Sequence, residues 1–549
     1  MTGRSPCLAG LLTLVALLWA CEESGAPSSP TDWFREEAVA RGVDFTLLTD
    51  LDEAPWAPEI IVGGGAALDY DDDGLLDLYL LQSSGDGGNR LFRNLGPQGF
   101  EDVTEAAGVG DEGYGSGVAT GDYDGDGDVD ILITNLGPDV LYRNESDGTF
   151  TDVTSRMGLG DDGWGSSAAF LDFDDDGDLD LFVTRYIDWS PDREKRCRDP
   201  RGLPDYCHPE SFGAPSTDLL YRNDGDAGFV DVSSESGIDS AKGNGLGVMA
   251  EDFDRDGRVD LFVANDKNPD RLWRNLGDGR FEESGLRMGC DRDLTGIAKA
   301  GMGVAVEDVD DDGDFDLIVC NVTGETDSFY LLENGRFMDS TNRAGLGAAS
   351  RRFTRFGLGL VDFDNDSRLD YFAANGAVAM NSDSPVDGDP YAEHNLAMRG
   401  RTDRVGFVET DAPGGVTGLP RRTSRGAIFG DFDNDGGMDI GVVNRDAEFH
   451  LLRNVVHDRG EWLLLDVRDD AGAPALGAVV RVDLGDRVLT RRVRTDGSYM
   501  TARDPRIHVG LGGTATPPSV EVEWPDGRRR TISSVPPGTV HRIDPPATP

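Results

Sequence analysis

Histidine, cysteine and basic residues are the scarce components of this 549-residue chain, and each scarcity closes off a chemistry. Of the six histidines, His208, His394, His450, His457, His508 and His541, none stands in a metal-ligand or nucleophile motif. Neither a G-x-S-x-G turn nor a P-loop occurs. The six cysteines include no C-x-x-C, which argues against a zinc or thioredoxin-like site. Lys and Arg number 51 against 103 Asp and Glu, a formal net charge of −52. Phosphate contacts need a basic face, so nucleic acid is excluded as a partner, and an anionic membrane surface offers no attraction.

Apolar runs are scarce as well. Leu11 to Trp19 is the longest near the start, too short to span a bilayer as a permanent helix. With Arg4 before it, the run reads as an export signal over residues 1–21. Leu18-Trp19-Ala20-Cys21 resembles a bacterial lipobox, so lipid is expected on Cys21, with residues 22–31 as a polar tether. Glu22 after the cysteine favours an outer-membrane or cell-surface address; a periplasmic or secreted protein is the other outcome. Membrane contact is then expected through the lipid alone. Cys197 and Cys207, ten apart in a Pro/Arg-rich loop, are expected to pair in an oxidising compartment. Cys290 and Cys320 either pair or remain two buried thiols.

What the chain has in excess is glycine, 73 residues, and acid in fixed places. The pattern D-x-D-x-D-G-x-x-D recurs seven times, once with Ser367 in place of glycine. Its acids at positions one, three, five and nine are Asp69, Asp71, Asp73 and Asp77; Asp122, Asp124, Asp126 and Asp130; Asp172, Asp174, Asp176 and Asp180; Asp252, Asp254, Asp256 and Asp260. The last three sets are Asp308, Asp310, Asp312 and Asp316; Asp362, Asp364, Asp366 and Asp370; Asp431, Asp433, Asp435 and Asp439. Small and apolar residues precede each copy, as in Gly117-Val118-Ala119-Thr120, and a β-rich run follows, as in Val129 to Ile133. A third segment recurs next, such as Leu141-Tyr142-Arg143-Asn144, and then a fourth such as Phe150-Thr151-Asp152. Four strands per unit is the make-up of a propeller blade. The spacing predicts an all-β fold: a seven-bladed β-propeller over 32–455 and a small C-terminal β domain over 461–545. The Phe signature of the fourth strand first occurs at Phe34, before the first acidic loop, so the Trp33-Phe34 segment is expected to complete the seventh blade.

Calcium takes about six to eight oxygens, and aspartates at positions one, three, five and nine of a tight loop can converge on one ion. The position-seven carbonyl can add an oxygen, and glycine at position six permits the turn. An EF-hand needs a glutamate at position twelve, where Leu80, Ile133, Val183, Val263, Val319, Ala373 and Val442 stand instead. Up to seven calcium ions are expected, in a structural role. Loop four carries Arg255 and Arg258 and loop six Arg368, so weaker binding, or reliance on partial charge compensation, is expected at these two.

These loops resemble those of FG-GAP/VCBS-type propellers, related in design to the integrin α-subunit head. The tail resembles an ASPIC/UnbV domain through Trp462-Leu463, Leu476 to Val482, Gly497-Ser498-Tyr499, His508 to Gly512 and Val522 to Gly527. Together they resemble the cartilage acidic protein family. Two departures from that family's pattern stand out. Asp470 to Pro474 occupies the place of an Asn-Arg-Asp-like stretch, and Ala377 that of a histidine after Asn375-Gly376. The resemblance implies architecture and metal rather than a settled activity. Two inserts, Ile187 to Thr217 and Gly376 to Glu393, fall between second and third strands, on the face away from the cation loops. A protein or glycan partner is expected there, with Tyr186, Trp189, Tyr206, Phe212 and Tyr391 as contacts. The alternatives are a polysaccharide-active enzyme using that face, with His208 or His394 as the residue to test, and a purely structural surface protein.

Overall fold

The structure, a computed structural model, describes residues 32–547 apart from the short stretches 50–54, 85–86, 381–385, 387, 410–415, 417 and 515. The export signal, the tether and Cys21 lie outside the described residues. The described chain is nearly all β. Seven meanders of four antiparallel strands make the larger part. The first uses Gly65–Leu68, Asp77–Leu80, Arg90–Asn94 and Phe100–Asp102, and the pattern repeats to Ser424–Gly430, Asp439–Asn444 and His450–Asn454. That last blade takes its fourth strand from Phe34–Glu36, paired antiparallel to residues 452–454. The two ends of the propeller thus close on one sheet, and the third strand of the last blade is covered as it is in the other six.

The innermost strands neighbour one another in cyclic order, from blade one through blade seven and back to one. They are crowded at the axis, which is the physical reason for the small residues before each loop. A Cβ on Gly117 would lie 2.0 Å from the Ser166 carbonyl oxygen, and one on Gly303 1.9 Å from that of Phe356. Hydrophobic clusters fill the joints between blades, where second-strand residues such as Leu78, Leu80, Ile131 and Ile133 are fully buried.

Residues from Glu461 onward form a three-stranded sheet (Ile507–Gly512, Glu461–Val467, Val540–Ile543) and a four-stranded one (Val488–Arg492, Val479–Asp483, Ser519–Glu523, Arg529–Ile532) around a separate core. The loop between Arg492 and Ile507 leaves this domain and enters the propeller axis. Thr501–Ala502 pairs parallel with Gly65 and Ala66 of the innermost strand of blade one, and Ser498 bridges Val304 of blade five.

Candidate metal centres

Each acidic loop follows an innermost strand and leads into the second strand of the same blade, so all seven open on one face. In loops one to four the first, third and ninth aspartates each bring a carboxylate oxygen to within 4.8 Å of the others: Asp69, Asp71 and Asp77; Asp122, Asp124 and Asp130; Asp172, Asp174 and Asp180; Asp252, Asp254 and Asp260. In loop five Asp308, Asp310 and Asp312 do so.

The four positions have different duties. The first aspartate turns the loop: Asp69 accepts the N–H groups of Asp73 and Gly74, at 3.1 and 2.9 Å. Asp362 and Asp431 make the same pair of bonds in loops six and seven. The fifth aspartate accepts the N–H two residues on, as Asp73 does from Leu75 at 3.0 Å. The ninth ties the loop to the blade: Asp77 accepts the N–H of Tyr70 on one oxygen and that of Asn94 on the other. The third is left over. In five loops its Oδ1 is buried with no hydrogen-bond partner: Asp71, Asp174, Asp254, Asp310 and Asp433. Its other oxygen meets an arginine of the third strand in several blades, as in Arg93–Asp71 (2.5 Å), Arg274–Asp254 (3.2 Å) and Arg453–Asp433 (2.6 Å).

Burial, reinforced by the neighbouring carboxylates, pushes Asp77, Asp180, Asp260 and Asp316 up to about 8. Burial likewise raises Asp69, Asp122 and Asp172 to about 6, and Asp308, Asp362 and Asp431 to about 7. Carboxylates so placed are costly to ionise unless a cation shares the site. The donor set is all oxygen, at the spacing of a hard divalent ion, so the residues fit calcium.

The tail domain sits on this face. Arg468 pairs with Asp72 of loop one at 3.4 Å, and the His508 ring lies 3.1 Å from the Gly436 carbonyl of loop seven. Arg492 and Arg494 pair with the fully buried Glu251, and Arg491 and Arg503 with Glu307. Beyond them the plug runs down the axis. Thr495 donates to the Thr120 carbonyl, Ser498 and Thr501 donate to the Ala427 carbonyl, and the Val118 N–H donates to the Met500 carbonyl. Tyr499 is fully buried at the far end; its hydroxyl donates to the Ile61 carbonyl at 2.6 Å and its ring meets Phe356.

The two inserts close the opposite mouth over Tyr499. Here the expectation for the aromatics is corrected. Tyr186 and Tyr391 are buried, and Trp189, Tyr206 and Phe212 pack against the cluster that contains Tyr499. Tyr206 meets Tyr391 at a tilt of 58° with centroids 5.4 Å apart, and Arg445 lies over both rings. Tyr391 donates to Asp205 at 2.8 Å and Tyr206 to Glu59 at 3.0 Å. These rings are spent on joining the inserts to each other, because an exposed aromatic run beside an apolar mouth buries itself. Cys197 and Cys207 are joined in a disulfide within the larger insert. Cys290 and Cys320 are free, buried in separate hydrophobic clusters. His394 accepts from Arg421 at 2.7 Å; burial and that arginine hold its pKa down.

Profiles of two protein families match the chain: FG-GAP-like repeat at residues 69–133, 122–183 and 252–319, and ASPIC and UnbV at 469–549. Cartilage acidic protein 1 of Xenopus tropicalis is 29% identical over 310 residues, 55% of this chain and 45% of the relative. The Homo sapiens protein of that name is 27% identical over 334 residues, 58% and 47% of the two chains. The match thus spans about half the length of these curated relatives. Among solved structures, YCF48 bound to a D1 peptide aligns over 74% of this chain and 98% of its own, at 11% identity and a TM-score of 0.40. FG-GAP-like repeats and an ASPIC and UnbV domain are therefore present in one chain, as in the combination anticipated above.

Proposed function

We propose that this FG-GAP-repeat propeller with an ASPIC and UnbV tail, similar to cartilage acidic protein 1, is an exported binding module held in shape by calcium. The observation that carries the metal is the third-position aspartate, whose Oδ1 is buried without a hydrogen-bond partner in five loops. A buried carboxylate oxygen left so costs about 1–3 kcal/mol, and a calcium ion removes that cost. The aspartates at positions one, three, five and nine would hold the ion, which supplies charge neutralisation and no reaction.

Export is supported by the leader-like start and the disulfide, with Cys21 as the lipid site. The partner is a protein or glycan, and the surface offered to it is the outside of the two inserts, since their aromatics are turned inward. Supporting this are the acidic charge, which excludes nucleic acid, and the rigid scaffold beneath loops. The experiment is elemental analysis of residues 32–549 with thermal unfolding before and after chelation. Five to seven ions, and a large fall in melting temperature on chelation, are expected. Two ions or fewer with unchanged stability would overturn the reading.

A further inference from the structure

The seven loops are not independent of one another. In five blades the third strand ends in asparagine: Asn94, Asn144, Asn223, Asn275 and Asn454, each at most 2% exposed. The backbone N–H of each donates to the ninth aspartate of its own loop at 2.7–2.8 Å. Its Nδ2 reaches across the joint to the second-position carbonyl of the preceding loop. Asn144 thus holds Tyr70, Asn223 Tyr123, Asn275 Phe173, Asn454 Phe363 and Asn94 Phe432, at 2.8–2.9 Å. The residue so held gives its own N–H to the ninth aspartate of that preceding loop, as Tyr70 does to Asp77 and Tyr123 to Asp130. A path of hydrogen bonds therefore runs from one loop's ligand carboxylate to the next.

Two joints lack the asparagine. Leu332 and Gly400 occupy its place in blades five and six, and only their backbone N–H groups reach the ninth aspartates, Asp316 and Asp370. Both joints carry an arginine instead. Arg255 of loop four pairs with Asp314 at 2.6 Å and donates to the Gly313 carbonyl, both in loop five. Arg487, from the tail, spans Asp311 of loop five at 3.0 Å and the Ser367 carbonyl of loop six at 2.6 Å. Arg255 thus has a place as a bridge, which its position beside the acids did not disclose.

We propose that these five asparagines and two arginines couple neighbouring loops into one ring that loads its divalent cations cooperatively, with the tail as a member of the ring through Arg487. This rests on the calcium reading above. An ion that fixes one loop's ninth carboxylate fixes the peptide next to it, and through the amide the loop of the adjoining blade. The second ion then enters a loop already ordered, which is positive coupling between sites.

The test is a calcium titration of the chelated full chain, read loop by loop through amide exchange of the peptides spanning 69–77, 122–130, 252–260, 308–316 and 362–370. Asn144→Ala keeps the backbone N–H to Asp130 and removes the grip on Tyr70, together with the side chain's weaker bonds to the Val129 carbonyl and the Ser146 N–H. The calcium midpoints of loops one and two are expected to rise together, roughly three- to tenfold, the worth of one buried hydrogen bond, with loop four unmoved and the overall curve shallower. Arg487→Gln, at a joint where the arginine side chain is 24% exposed, is expected to move loops five and six and leave one and two in place. Equal shifts in all loops, or none in either variant, with the wild-type ion count at five to seven, overturn the coupling alone. A wild-type chain without bound calcium overturns the metal reading, and the coupling with it.

Discussion

Glu393 lies at the end of the smaller insert, where its Oε2 accepts the Thr354 N–H at 2.8 Å. Burial pushes its carboxyl up from 4.5 to about 7. The folded chain therefore holds a proton on Glu393 between pH 4.5 and 7 that the unfolded chain has lost. Stability from this group is full below pH 4.5 and is lost as pH rises through that window. Glu393→Gln keeps an acceptor for Thr354 and removes the titration. The variant is expected to be more stable than the parent above pH 7, by about 1–2 kcal/mol after discounting for its partial exposure, and indistinguishable near pH 4. Melting temperatures at the two pH values check this; an equal difference at both would refute the assignment.

The innermost strands show why sequence reading reached some features and missed others. The loop aspartates and the four-strand unit were legible because they repeat, and a repeat in one chain substitutes for many sequences. The offset of Phe34 also disclosed the closure at the seventh blade, because a missing last copy and an extra first one have one geometric solution. Asn144 and its equivalents were visible as a recurrence too, yet their partners lie a blade away, at carbonyl groups that carry no side-chain signature. The plug was hidden for a related reason: Gly497 to Ala502 occurs once, and only the ring shows what surrounds it. The aromatics of the inserts were misjudged because composition cannot say which way a ring faces. Packing at the axis gives a sharp expectation. Gly303→Ala places a methyl against the Phe356 carbonyl and is expected to cost about 1–3 kcal/mol or more, seen as a lower melting temperature. Gly148→Ala, in an open turn with φ of +84°, meets no atom within 4 Å and is expected to cost only its left-handed backbone, about 1 kcal/mol. Equal losses at the two sites would mean that the axis has room.

Charge and topology together make the tail a structural part of the propeller. From Glu461 on, the chain has twelve acidic and twelve basic residues, so the whole formal charge of −52 rests on what precedes it. A neutral, arginine-rich domain is seated on the acidic face, and its loop fills the axis from that face to the inserts. Each link carries a partner that would be stranded without it: Glu251 loses Arg492 and Arg494, and Ala250 loses the Asp496 carboxylate that accepts its N–H at 2.6 Å. The insert side loses the Tyr499 ring on which its cluster closes. One cooperative unfolding transition is therefore expected for residues 32–549, rather than one for each part. Tyr499→Ala removes a fully buried ring and its bond to Ile61, with an expected cost of about 3–5 kcal/mol. Because that ring is shared, the loss should appear in both places at once: faster amide exchange in the 187–217 insert and in the tail strands. Scanning calorimetry with peptide-resolved exchange decides it. Two separate transitions, or a variant that loosens the tail while the insert stays protected, would mean that the plug fills the channel without joining its two ends.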